Sequence, residues 1–200
     1  MKKTVVFGGT FNPPHIGHLR LMEEVISAVR PDRLILMPAH LPPHKSSQNL
    51  TNDADRLEMC RLLASCCTDA EVSDYEIKSG GKSYTVLTLE HLHKLYPDDE
   101  LYFAMGSDVL RSFLNWYGRD RILELTAIVC CCRDETDRKA IIPIKEHIEA
   151  LGGLCILTEC EPLSCSSTEI RDRVEYGKPI TDLVPPAVAE YIEKRGLYRD

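Results

Sequence analysis

Two histidines three residues apart, His15 and His18, lie in the segment GGTFNPPHIGHL. Gly8 and Gly9 remove side chains there, so a ligand can approach the backbone. Pro14 suits the first turn of a following helix, where its missing N–H costs little. Such a helix places both imidazoles on one face near its N-terminus, and Gly17 has no Cβ to block that face. A helix N-terminus offers free N–H groups and partial positive charge, and even a neutral imidazole has one N–H to donate. The combination is a donor-rich anion site, suited to a phosphate whose charge grows in a transition state. Singly, the glycine pair reads as a turn and each histidine as a surface residue. Several local choices agreeing on one chemistry is what points to phosphate.

A second candidate lies near the C-terminus, in SCSSTEIR. Ser166 followed by Glu169 has capping-box spacing, which predicts a helix from about Ser167. Hydroxyls and free amides would face outward there, and Arg171 in the first turns can fork onto phosphate oxygens. Alone this is an ordinary capped helix; beside a first anion site it reads as a second one.

The middle of the chain holds four further segments. Pro42-Pro43-His44-Lys45 is a stiff loop ending in a cation, or a solvated loop tip. Lys82-Ser83-Tyr84-Thr85 precedes a helical stretch that Ser83 or Thr85 can cap. Gly106-Ser107-Asp108 follows an apolar run; Asp108 could hold a ribose hydroxyl or simply favour a helix N-terminus. Asn115-Trp116-Tyr117 holds the single Trp of the chain, which fits a core aromatic as well as a stacking platform.

These residues need elements to hold them. Apolar runs at Thr4–Phe7, Leu34–Met37, Leu101–Met105, Ala127–Cys132 and Leu154–Leu157 are nearly continuous, as in strands covered on both faces. Between them, Leu19, Met22, Ile26 and Val29 form one helical face from Ile16 onward. Further helices are expected at Asp53–Cys66, Tyr84–Leu95, Asp108–Trp116, Ile144–Leu151, Thr168–Glu175 and Pro186–Lys194. The alternation predicts an α/β fold: a Rossmann-like, doubly wound parallel sheet with helices on both faces, three layers in all. Length fits one domain over 1–200, with a small helical part from about 167. Ligands of such sheets bind beyond the carboxyl ends of the strands, where the loops after Phe7, Met37, Met105, Cys132 and Leu157 lie.

Acidic residues outnumber basic ones by 31 to 24, for a net charge of −7. That argues against broad nucleic-acid binding but not against a small anionic ligand held by local amides. The apolar stretch in MKKTVVFGGT is too short for a signal peptide. No run reaches the roughly 18 apolar residues of a membrane span, so a cytoplasmic protein is expected. The nine cysteines include Cys130-Cys131-Cys132 and Cys66-Cys67, an arrangement unlike a disulfide framework. They are read as reduced, mostly small core residues.

The segment Gly8-Gly9-Thr10-Phe11-Asn12-Pro13-Pro14-His15-Ile16-Gly17-His18 resembles the signature of the HxGH nucleotidyltransferase superfamily. Many of its members have Asp where Asn12 stands. Ser166-Ser167-Thr168-x-x-Arg171 resembles the second signature, which binds the β and γ phosphates of ATP. The middle segments, and the closing Leu183-Val184-Pro185-Pro186 with Tyr191-Ile192 and Gly196-Leu197-Tyr198, resemble the bacterial nicotinate mononucleotide adenylyltransferases over almost the full length.

That resemblance implies Mg-ATP and nicotinate mononucleotide as substrates and pyrophosphate as leaving group. It implies an ATP site of Gly8, Gly9, Thr10, Phe11, His15, His18, Gly106, Asp108, Arg133, Ser167, Thr168 and Arg171. Catalytic roles would fall to His15, His18 and Lys45. The mononucleotide would meet Lys45, Thr85, Trp116 and Tyr117, with Trp116 stacked on the pyridine ring and the Thr85 and Tyr117 segments near its carboxylate. Magnesium would be held by phosphates and water rather than by protein ligands. Leu87 stands where the family usually has Asp, and no role is assigned to it. A homo-oligomer is compatible with the family pattern.

Three other readings share part of this pattern. Another transferase of the superfamily would take a different acceptor, such as nicotinamide mononucleotide, a pantetheine phosphate or a cytidylyl acceptor. A class I aminoacyl-tRNA synthetase fragment would share His15-Ile16-Gly17-His18 but needs a KMSKS-like loop that this chain lacks. A silent nucleotide sensor would bind ATP and release no pyrophosphate.

Overall fold

The structure is a computed structural model that describes residues 1–42, 50–159 and 165–199. Six parallel strands form one sheet: β1 (Lys3–Gly9), β2 (Arg33–Pro38), β3 (Ala70–Val72), β4 (Glu100–Gly106), β5 (Ala127–Cys132) and β6 (Cys155–Glu159). Their order is β3-β2-β1-β4-β5-β6. The winding reverses between β1 and β4, and a parallel sheet of this kind opens a crevice at that switch.

Alternation along the strands feeds two separate cores. Val5 and Phe7 of β1 pack with Leu21, Met22 and Val25 of α1 (Ile16–Val29) and with Cys60 and Leu63 of α2 (Asp53–Ala64). Val6 faces the other way, with Leu89 of α4 (Thr85–Leu95), Phe113 of α5 (Ser107–Phe113), Ile122 of α6 (Arg119–Leu125) and Ile141 of α7 (Glu135–Ala150). The sheet is therefore covered on both faces, which is why its strands read as continuous apolar runs. A third cluster joins Met59 of α2 to Ile170 of α8 (Ser167–Glu175) and to Val188 and Ile192 of α9 (Pro186–Arg195). Among the described residues no helix is long and apolar enough to cross a membrane.

Several details differ from the sequence expectations. β3 is an edge strand of three residues, and α3 (Tyr75–Ser79) and α6 are short. Elements of one or two turns present too little periodicity to be read. Helix α7 begins at Glu135, capped by the Asp134 carboxylate, and keeps Pro143 inside it. Its first turn is polar, and its apolar face of Ile141, Ile144 and Ile148 is interrupted by Pro143, a residue that reads as a helix breaker. Pro14 is not in the first turn of α1: His15 is the N-cap and helical geometry starts at Ile16.

The cysteine run also differs. Cys130 and Cys132 are buried on one face of β5 and free. Cys131 points to the opposite face and is disulfide-bonded, which corrects the all-reduced expectation. Burial raises the thiols of Cys130, Cys132 and Cys155, the last to about 11. These are packing residues rather than nucleophiles.

Candidate active site

The chain leaves β1 through Gly8 and Gly9 and turns at Phe11, which adopts φ 49°. The Phe11 ring comes back under Gly9, where a Cβ would stand 2.9 Å from it. Gly9 is therefore required by a close approach of aromatic to backbone. The Phe11 ring also meets Phe7 edge-on at 5.4 Å and the His18 ring at 5.0 Å.

The two imidazoles lie against each other, centroids 3.7 Å apart. Gly17 makes room for this, since a Cβ there would sit 3.0 Å from the His15 ring. The backbone N–H of His15 donates to Nδ1 of His18 at 3.1 Å. With Nδ1 accepting, the neutral His18 ring carries its proton on Nε2. Nδ1 of His15 is buried with no hydrogen-bond partner. Burial lowers the His15 pKa from 6.5 to about 4, so this ring is neutral at pH 7. A neutral His15 against His18 avoids confining two adjacent cations.

The opposite wall is the start of α8. Ser166 caps it, accepting from the Glu169 N–H at 3.1 Å. The Glu169 carboxylate accepts from Arg173, one turn on. Ser167 Oγ donates to the Pro13 carbonyl at 2.8 Å. Arg171 donates to the Asn12 carbonyl at 2.8 Å and to Thr168 Oγ1 at 3.2 Å. The two helix starts are thus tied together through residues 12 and 13, while the Ile16 N–H of α1 is itself taken by the Leu183 carbonyl at 2.9 Å.

Asn12 is more than a substitute for a carboxylate. Its side-chain oxygen accepts from the Thr51 N–H at 3.2 Å and from Tyr198 Oη at 3.0 Å. Two donors suit a neutral amide oxygen, and the C-terminal turn is fastened to the first loop through it.

These walls enclose a cleft of about 470 Å³, within the roughly 300–1,000 Å³ of small-molecule sites. Gly8, Gly9, Thr10, Phe11, His15 and His18 line one side. Ser167, Thr168 and Arg171 line another, and Gly106, Asp108 and Arg133 close the third. All twelve residues expected on the nucleotide side therefore meet in one place. The Asp108 carboxylate folds over Gly106, where a Cβ would stand 2.7 Å from its oxygen. It also lies 3.6 Å from the Arg133 guanidinium, both side chains being largely exposed. Among the described residues Asp108 is the sole carboxylate lining the cleft.

The acceptor-side residues gather on an adjoining shoulder. Trp116 packs edge-on against Phe103 at 6.1 Å and against Phe113 at 5.6 Å, and its Nε1 donates to Ser112 Oγ at 3.2 Å. Phe103 stands 3.4 Å from where a Gly8 Cβ would be, so the shoulder and the cleft share a wall. Tyr117 is 67% exposed and lies 5.0 Å from the Tyr84 ring. Thr85 opens α4, with its free amides at the same rim. Lys45 lies outside the described residues.

Residues 6–173 match the family described as cytidylyltransferase-like. The chain belongs to that family. Over its whole length it is 36% identical to all of a Clostridium tetani protein named probable nicotinate-nucleotide adenylyltransferase. A Desulfitobacterium hafniense protein of the same name is 38% identical, with 99% of this chain and 96% of that one covered. Two solved structures share the fold. A Plasmodium falciparum nicotinic acid mononucleotide adenylyltransferase complexed with NaAD matches with TM-score 0.79 at 21% identity, over 99% of this chain and 98% of that one. A putative nicotinate-nucleotide adenylyltransferase from Vibrio parahaemolyticus matches with TM-score 0.71 at 24% identity, over 100% and 97%. Within the cytidylyltransferase-like family this chain is therefore a nucleotidyltransferase of the nicotinate-nucleotide adenylyltransferase group.

Several residues that shape this adenylyltransferase site gave no sequence signal of their own. Phe103 reads only as strand, Tyr198 as part of a closing motif, and Arg56 as one more polar helix residue. Their partners are remote: Tyr198 bonds Asn12 across 186 positions. Only a fold could reveal them.

Proposed function

We propose that the protein joins the adenylyl group of Mg-ATP to the phosphate of nicotinate mononucleotide, forming deamido-NAD and pyrophosphate. The observation that carries this reading is the convergence of His15 and His18 with Ser167, Thr168 and Arg171 on one cleft at the β1/β4 switch. The names of the full-length relatives support the acceptor.

The acceptor phosphate is already a nucleophile at pH 7, so no side chain has to be activated as one. One of its oxygens attacks the α-phosphorus of ATP in line. The bond from that phosphorus to the α–β bridging oxygen breaks, and pyrophosphate leaves with the electron pair. His18 donates Nε2–H to the reacting phosphates as charge builds, with neutral His15 beside it. The α8 amides, Ser167, Thr168 and Arg171 receive the β and γ phosphates. Gly8, Gly9, Thr10 and Phe11 form the floor under the nucleotide, Asp108 with Gly106 meets the ribose, and Arg133 lies on the nucleotide side. Trp116 stacks on the pyridine ring, while the Thr85 and Tyr117 segments receive its carboxylate through backbone amides. Lys45 is assigned to the phosphates of both substrates. On this reading residues 1–200 act as one catalytic unit, with the helical part from Ser167 as one wall.

The residues present suit a magnesium ion brought in on the triphosphate. Among the described residues no three His, Cys, Asp or Glu side chains converge as a metal site, and a hard ion that keeps its waters needs few protein ligands. When bound, it would neutralise charge on the ATP oxygens.

The test mixes protein and Mg-ATP with nicotinate mononucleotide, nicotinamide mononucleotide or a pantetheine phosphate, and measures pyrophosphate and the joined product. The nicotinate acceptor is expected to be fastest. Equal rates with both pyridine nucleotides would remove the preference for the acid. Tight Mg-ATP binding with no pyrophosphate from any acceptor would leave the silent-sensor reading.

A further inference from the structure

The largest side chain with no exposure at all is a cation, Arg56. A buried guanidinium needs both a counter-charge and acceptors for its five donors. Asp53, one turn earlier on α2, supplies the charge. The remaining acceptors are backbone carbonyls from two loops, the β1–α1 turn and both ends of the β2–α2 connection. Nε donates to the Thr51 carbonyl at 3.1 Å, Nη1 to the Thr10 carbonyl at 2.8 Å and Nη2 to the His40 carbonyl at 3.4 Å.

Each carbonyl belongs to a segment that borders a substrate. Thr10 lines the nucleotide cleft. Thr51 donates its own N–H to Asn12, which the C-terminal turn also holds. His40 leads toward the acceptor side: its N–H donates to Ser83 Oγ at 2.9 Å, and its ring meets Asp53 at 2.5 Å. Ser83 N–H donates back to the Leu41 carbonyl at 3.0 Å. The Ser83 hydroxyl also bonds the half-buried Glu76 carboxyl, which accepts from Thr88 one turn inside α4 at 2.5 Å. An unbroken path thus runs from Thr10 through Arg56, His40 and Ser83 to the start of α4, where Thr85 lies.

We propose that Arg56 is a positioning residue that fixes the nucleotide-side loop and the acceptor-side loop relative to each other, through the carbonyls of Thr10 and His40 and on through Ser83. It touches neither substrate. Its planar fork is what lets one side chain serve separate loops, and lysine cannot reproduce that geometry. An apolar side chain could fill the same volume, so stability alone does not call for a charge there. In-line transfer between two bound nucleotides depends on their relative placement, and displacement of about 1 Å can cost roughly 10²-fold in rate.

The inference rests on the acceptor proposed above, so wild-type turnover with nicotinate mononucleotide is measured first. Mg-ATP binding by calorimetry needs no acceptor, and the two readings therefore fail separately. Three variants are compared: Arg56→Lys, Ser83→Ala and the double variant, each with its melting temperature. Ser83→Ala breaks only the acceptor-side link. It is expected to raise the KM for nicotinate mononucleotide about three- to tenfold, the worth of one neutral hydrogen bond, with Mg-ATP affinity and melting temperature unchanged. Arg56→Lys is expected to weaken Mg-ATP binding as well and to lower kcat. In the double variant the two effects on acceptor KM should not multiply, because they break one path.

The proposal is overturned if Arg56→Lys lowers melting temperature but leaves Mg-ATP affinity, acceptor KM and kcat at wild-type values. Independent multiplication in the double variant overturns it too. Should Arg56→Lys not fold, Ser83→Ala decides: unchanged acceptor KM in a stable protein rejects the path, and a raised one supports it.

Discussion

The nucleotide cleft and the acceptor shoulder adjoin each other but are built differently. The cleft stands between two helix starts stitched together by Ser167 to Pro13 and Arg171 to Asn12, with the C-terminal turn held to the same loop by Tyr198. His15 is buried, and the half-buried His18 ring lies between it and the rings of Phe7 and Phe11. The shoulder depends on a largely exposed Tyr117, a Trp packed against Phe103 and Phe113, and a loop joined to it by two hydrogen bonds at Ser83. Preorganised dipoles matter most where charge develops, and the proposed mechanism puts the reacting phosphates on the cleft side. On that proposal the acceptor side has to recognise a planar ring, for which a platform and a few amides suffice.

If that contrast is right, the largest loss follows from the cleft. His18→Ala should lower turnover by about 10²–10³, the scale of one transition-state donor, with Mg-ATP affinity changing far less. Steady-state rates beside calorimetry test this, and a folded, fully active His18→Ala enzyme would remove the residue's role. Next comes Trp116→Ala. Loss of base stacking is worth about 1–3 kcal/mol, so the KM for nicotinate mononucleotide should rise while Mg-ATP affinity holds. A parallel fall in Mg-ATP affinity would merge the two regions into one.

Tyr198→Phe should cost roughly 1 kcal/mol, as expected for one neutral hydrogen bond. Denaturant midpoints measure it, and a cost near zero would mean that the C-terminal turn does not fasten the first loop. The smallest effect concerns acid. The His15 pKa is lowered from 6.5 to about 4, so the folded state binds this proton less readily than the unfolded chain. Its contribution to stability is complete above 6.5 and is lost as pH falls from there through about 4. Activity should therefore show no acid limb from His15 between pH 8 and 7. A limb in that range abolished by His15→Gln would contradict the neutral ring.

The same contrast explains what the sequence disclosed. His15 and His18, and Ser167 and Arg171, are close in sequence and punctuated by glycine, proline and a cap, so local rules expose them. The strand runs behind them were legible because a doubly covered parallel sheet needs unbroken apolar segments. The edge strand at Ala70–Val72 was too short to leave a pattern. Arg56 gave no signal because its acceptors are carbonyls, which carry no residue identity. Cys131 reads the same as Cys130 in a row of letters, and only the pleat sends it to the other face.

On the proposed mechanism one triphosphate bridges two helix starts. A crystal structure with Mg²⁺ and a non-hydrolysable ATP analogue tests this directly. Phosphate oxygens are expected within hydrogen-bond reach of His18 Nε2 on one side, and of the α8 amides with Ser167, Thr168 or Arg171 on the other. A triphosphate touching only one of those helix starts, or lying outside the cleft, would contradict it.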